Sequence, residues 1–181
     1  MIRKYVLGII LSIMFFALAV LSGIIPGEAG KTVAMFAIPL VSSILTGILA
    51  GSIQGLLVGL VSPLLVFLIR GDTDFLRDAL PAILSLGTSG FAAGMIYGRT
   101  GTSIGASIGA VLSGRIALAL SKILILYLLG EPYTVFTYLE EAFTGIWPGL
   151  VISLVFIPLV IFMLRRIGVM AILREERSSE T

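Results

Sequence analysis

Arg115 and Lys122 are two cations seven residues apart inside an apolar run that extends from Ser103 to Leu129. A charge held within hydrocarbon is costly, so such residues mostly face a bundle interior or a polar cavity and serve a function there. Seven residues make nearly two helical turns, which puts both side chains on nearly the same face. At 1.5 Å per residue Arg115 lies about 18 Å from the start of that helix. Hydroxyls at Ser85, Thr88 and Ser89 on the preceding apolar run, with Thr144 and Trp147 at the opening of the last one, add neutral polar groups. A guanidinium and an ammonium among such donors suit a small anion such as a carboxylate. No Asp or Glu lies within the apolar runs to neutralise the two cations.

Each of these residues also has a plainer role open to it. Lys122 fits snorkelling to the headgroups. Arg115 fits bonds to carbonyls exposed near Pro63 or Pro158. Trp147 fits an interfacial anchor, and Ser or Thr in an apolar helix commonly bonds its own backbone.

The residues absent from the chain narrow the chemistry further. With no cysteine and no histidine, disulfides, thiolate catalysis, histidine-ligated metal and a Ser-His-Asp triad are excluded. No catalytic residue, metal site or cofactor is expected. Gly30-Lys31-Thr32 resembles the tail of a phosphate-binding loop, but Ile25 occupies the position where GxxxxGK[ST] requires glycine. A net charge of +2 gives no argument for nucleic acid.

The elements that must position these residues are membrane helices. The chain is 58% hydrophobic and 12% charged, with a mean hydropathy of +1.15, against about 25% charged in an ordinary soluble domain. Its 181 residues suffice for about six spans of roughly 20 residues. The apolar runs fall at about Tyr5–Ile25, Val33–Ala50, Gly51–Ile69, Pro81–Tyr97, Ser103–Leu129 and Phe143–Leu164. The first, with Arg3 and Lys4 before it, is long for a cleaved signal peptide and reads as a span. Residues 1–165 are expected to form a six-helix transmembrane domain, the substrate-binding one if the cations hold a ligand, and 166–181 a short charged tail.

Glycine spacing implies close packing. Gly47, Gly51, Gly55 and Gly59 recur every four residues, as do Gly90, Gly94 and Gly98, and then Gly101, Gly105, Gly109, Ser113, Ala117 and Ser121. Residues four apart stack on one helix face, and small residues there let helix backbones approach closely in a membrane. Six spans put both termini on one side. That side carries Arg3, Lys4, Arg99, Arg165, Arg166, Arg174 and Arg177, against Lys31, Arg70 and Arg77 on the other. The positive-inside rule then places both termini in the cytoplasm and the Lys122 end of the cationic face outside.

With these pieces placed, the chain resembles the substrate-binding S components of energy-coupling factor (ECF) vitamin transporters. The resemblance runs from about Ala37 to Leu164. It rests on GILAGSIQGLLVGLVSPLL (Gly47 to Leu65), SGFAAGMIYG, SGRIALALSK and the closing FTGIWPGLVISLVFIPLVIFML. The pair Gly114-Arg115 is similar to one in the pantothenate-type branch. The resemblance implies an all-α six-helix bundle in a bacterial or archaeal cell membrane, with a vitamin site in its outer half. Ser85, Thr88, Ser89, Arg115, Lys122 and Trp147 are the binding residues expected here. It also implies gating by the loops Gly27–Thr32, Arg70–Asp78 and Gly130–Ala142. The implied partners are a transmembrane coupling subunit and two cytoplasmic ATPases, with delivery by toppling in the bilayer. The Ala-xxx-Ala docking pattern of the family is replaced here by Gly8-xxx-Ser12 and Ala19-xxx-Gly23. The alternative function is a membrane scaffold or assembly factor of the cell-shape type, packing through its glycine ladders. A membrane enzyme fits worst, since no interior carboxylate, histidine or cysteine is present as acid, base or ligand.

Overall fold

The computed structural model describes residues 38–70, 74–130, 134–137 and 147–166, together with Ile13, Met14 and Ala17; at 70, 147–153 and 164–165 it describes backbone alone. Five helices make up nearly all of this: α1 (Ile38–Ala50), α2 (Ser52–Arg70), α3 (Leu80–Thr100), α4 (Ser103–Leu128) and α5 (Trp147–Arg166). A π-helical turn, Phe75–Ala79, leads into α3, and no strand occurs among the described residues. Among the described residues three stretches are long and apolar enough to cross a membrane: Ser52–Ile69, Phe75–Thr100 and Ser103–Leu128. Ile38–Ala50 is a shorter apolar helix. The expected first span and the charged tail lie outside the described residues, except for Ile13, Met14, Ala17 and Arg166.

α1 is apolar on every side and is buried along nearly its whole length, as expected of a helix enclosed by others. Ile44, Leu45, Ile48 and Leu49 join Leu86 and Ala93 of α3, Ala106 and Ala110 of α4, and Ile157 and Ile161 of α5 in one core. α3 packs against α1, α2 and α4.

α1 and α2 form an antiparallel hairpin with a one-residue turn. Gly51 supplies it, at φ 122°, a backbone conformation that L side chains rarely adopt. Its N–H reaches Gly47 O at 3.2 Å and Thr46 O at 3.3 Å, closing the end of α1. The glycine row from Gly47 to Gly59 therefore does not lie along one helix. It folds back on itself, so that a Cβ on Gly55 would sit 2.7 Å from Gly47 Cα.

α3 fills the groove this hairpin leaves. A Cβ on Gly55 would meet Gly90 O at 2.5 Å, and one on Gly94 would meet Ser52 Cα at 2.5 Å. Such separations are possible only for glycine, because carbon atoms in ordinary contact stay about 3.5–4.0 Å apart. Ser43 completes the junction. Its hydroxyl, wholly buried, donates to Leu86 O of α3 at 2.8 Å and also lies 3.2 Å from Gly55 O of α2. Gly94 marks the level of the Gly51 turn, so α3 continues about 9 Å past it at 1.5 Å per residue.

α2 passes through Pro63 without ending. The neighbouring Ser62 hydroxyl turns back to Val58 O within the helix. At the far end Phe67 and Phe75 pack with ring centroids 5.3 Å apart, tying α2 to the π turn. That turn is capped by Asp74, whose carboxylate accepts from the N–H groups of Leu76 and Arg77. At the other end Gly101, at φ 66°, caps α3 by donating to Tyr97 O at 2.9 Å. α4 then runs back antiparallel.

Candidate functional site

Two of the expected site residues, Ser85 and Ser89, lie in the α3–α4 seam against Gly114. Ser85 and Ser89 are one turn apart on the face of α3 that meets α4, and both are buried. The Ser85 hydroxyl donates to Gly114 O across the seam at 2.8 Å. The Ser89 hydroxyl donates to Ser85 O at 2.9 Å and occupies the space where a Cβ on Gly114 would be. Thr88 is half-buried, and its hydroxyl lies 2.9 Å from both Leu84 O and Ser85 O. All three hydroxyls thus serve the helices in this structure, and the two serines specifically serve the seam.

Arg115 follows Gly114 directly, twelve residues after the first residue of α4. It is half-buried, and its Nη1 is fully enclosed. A cation screened from water in this way holds an anion more strongly than it would in water. Lys122 is also half-buried, about 10 Å further along α4 on nearly the same face. α4 touches the π turn as well, so the face leads toward the end of the bundle where Asp74 and Asp78 lie. Asp74 is engaged there by its capping bonds and by Arg77, 3.6 Å away in an exposed pair. No Asp or Glu occurs in α1 to α5. The side chain of Trp147 and the whole of Thr144 lie outside the described residues.

The first two small-residue ladders serve helix packing apart from Gly51 and Gly98, and the third does so least. Gly47, Gly55, Gly59, Gly90 and Gly94 all meet neighbouring backbone, whereas Gly98 is exposed. Gly101 is the exposed cap of α3, before α4 begins; on α4, Gly105 is exposed and Gly109 meets only the end of the Ile96 side chain. The buried face of α4 runs instead through Ala106, Ala110, Gly114, Leu118 and Ser121. The buried row is the expected one shifted by a single residue, about 100° around the helix, and the two coincide only at Ser121. Gly114 and Ser43 were not singled out by spacing. The available signals were the placement of Gly114 next to a buried arginine and that of Ser43 on a helix without a polar face.

The outward side of α4 carries Ile104, Ile108, Leu112, Ile116, Leu120 and Leu124, all exposed and four apart. This surface suits hydrocarbon or another apolar helix, and leaves the cationic face on the flank between it and the core.

Compared with known protein families, curated proteins and solved structures, the chain finds no match in any of the three.

Proposed function

We propose that the chain is the substrate-binding subunit of an ECF-type importer, holding a small anionic vitamin, with pantothenate the best candidate, against Arg115 and Lys122. The observation that carries this reading is Arg115. It is a half-buried cation with an enclosed guanidinium nitrogen, in the middle of a long apolar helix, within a bundle whose described helices contain no carboxylate. A cation in that position supports anion capture, and Lys122 on the same face supports a path to it from the outer end. Thr88, half-buried beside the seam, and Trp147 are the further contacts in this reading. Both termini lie in the cytoplasm of a bacterial or archaeal cell, and six spans enclose the site. A coupling subunit and two ATPases supply the energy, and the binding subunit topples in the bilayer to release its ligand inside. The chain itself is no enzyme.

The test is thermal stabilisation of the purified protein by a panel of B vitamins. A ligand at 100 times its dissociation constant stabilises the fold by about 2.7 kcal/mol. A shift with one carboxylate vitamin, lost in Arg115→Ala and reduced in Lys122→Ala, is the expected result. If no vitamin stabilises a folded protein, the scaffold reading takes precedence. The exposed glycines and aliphatic row of α4 would then be its contact surface.

A further inference from the structure

We infer that Ser85, Ser89 and Gly114 are positioning residues: together they fix the register of α4 against α3 and so set the depth at which Arg115 presents its guanidinium to the ligand. The inference rests on the reading of Arg115 as the anchor, and goes beyond it by removing Ser85 and Ser89 from the ligand's own contacts.

Three observations meet at one point of the seam. Ser85 spends its hydroxyl on Gly114 O at 2.8 Å, a bond that crosses from α3 to α4 one residue before Arg115. Ser89 is fully buried and held by its own bond to Ser85 O at 2.9 Å. It stands where a Gly114 side chain would begin, with Ser85 O 3.0 Å and Ser89 Cβ 3.3 Å from that same position. Glycine is the one residue that lets the two serines and the α4 backbone occupy this space together.

The lock matters because helix register and side-chain depth are coupled. Clearing a Cβ at Gly114 from the Ser89 hydroxyl needs about 1.5 Å of movement, close to the rise of one residue along a helix. Sliding by that amount carries Arg115 out of line with any acceptor it is built to meet. Hydrogen bonds to charged groups contribute about 1.5–3 kcal/mol, so losing alignment weakens binding by about 10- to 100-fold.

A swap across the seam tests this, with two readouts. The first is the dissociation constant for pantothenate, with nicotinate as a second probe. The second is disulfide formation between cysteines at Ile96 and Gly109, which touch across the same seam, in a chain with no native cysteine. Gly114→Ala is expected to lower the cross-linking rate and weaken binding at least tenfold. Adding Ser89→Gly to Gly114→Ala vacates the space from the other side and is expected to restore both. A serine that contacted the ligand directly would not be replaceable by glycine in this way. Ser85→Ala, which removes the cross-seam bond without adding bulk, is expected to weaken binding less than Gly114→Ala. The inference is overturned if Gly114→Ala changes the cross-link but not the affinity, or if Ser89→Gly restores the cross-link but not the affinity. If the Ile96→Cys, Gly109→Cys chain with its seam otherwise intact cross-links but binds neither probe, it is the anchor reading that fails, and the lock is packing alone.

Discussion

Gly90 sits where α1, α2 and α3 touch, so adding one methyl group there tests the packing account at its tightest point. In Gly90→Ala the new Cβ would overlap Gly55 O and the Ser43 hydroxyl and lie 2.5 Å from the Gly55 carbonyl carbon. None of these is the loose end of a flexible side chain, so the junction must open by about 1 Å to reach normal carbon contact. Overpacking of this kind costs about 1–3 kcal/mol. Displacing Ser43 from Leu86 O and Gly55 O forfeits about 1 kcal/mol more, while alanine's better helix propensity returns up to about 1 kcal/mol. The net expectation is a loss of about 1–3 kcal/mol. Gly105→Ala is the matched control. Its Cβ would meet only the Thr102 hydroxyl, at 2.9 Å, on an exposed turn, so it should gain about 0.5–1 kcal/mol from reduced backbone freedom. Unfolding in detergent, followed by far-ultraviolet circular dichroism against heat or added SDS, compares the two directly. Gly90→Ala at or above wild-type stability, or equal to Gly105→Ala, would refute the three-helix junction.

Thr46 is wholly buried and its hydroxyl has no hydrogen-bond partner among the described residues. Thr46→Val should therefore raise stability by about 1 kcal/mol, and an unchanged or lower midpoint would contradict this. Gly51→Ala forces a side chain into φ 122° and should cost about 1–3 kcal/mol; the same unfolding assay reads it, and wild-type stability would argue against the one-residue turn. Asp74→Ala removes the cap of the π turn, worth about 1 kcal/mol. Amide exchange at Leu76 and Arg77 should accelerate while the core amides of α1 stay protected, and unchanged exchange would disprove the cap.

The sequence made the helix runs and the first packing surfaces legible because apolar length and glycine spacing are local properties. The run expected at Gly51–Ile69 is α2 at Ser52–Arg70, and that expected at Ser103–Leu129 is α4 at Ser103–Leu128. Gly51 turns the chain instead of packing as its spacing suggests, since regular spacing does not distinguish a glycine that packs from one that turns; only its φ does. The ladder expected along α4 gives way to a face through Gly114, one residue on, because spacing alone does not say which of the parallel rows on a helix meets its neighbour. The π turn has no periodic signature and depends on one capping carboxylate. At the site, the position of Arg115 could be read as a cation in an apolar run. That Ser85 and Ser89 point their hydroxyls into the seam depends on how two helices meet, which neither run specifies alone. Whether they also see a ligand is settled by the swap at Gly114.

The most direct test of the central claim is a binding titration of pantothenate into the folded protein in lipid nanodiscs, with Arg115→Gln alongside. The account predicts saturable binding at one site per chain, weakened by about 10- to 100-fold when the charge is removed but the polar side chain is kept. Equal affinity in the two proteins, or no binding of this or any other carboxylate vitamin to the folded wild type, would contradict it.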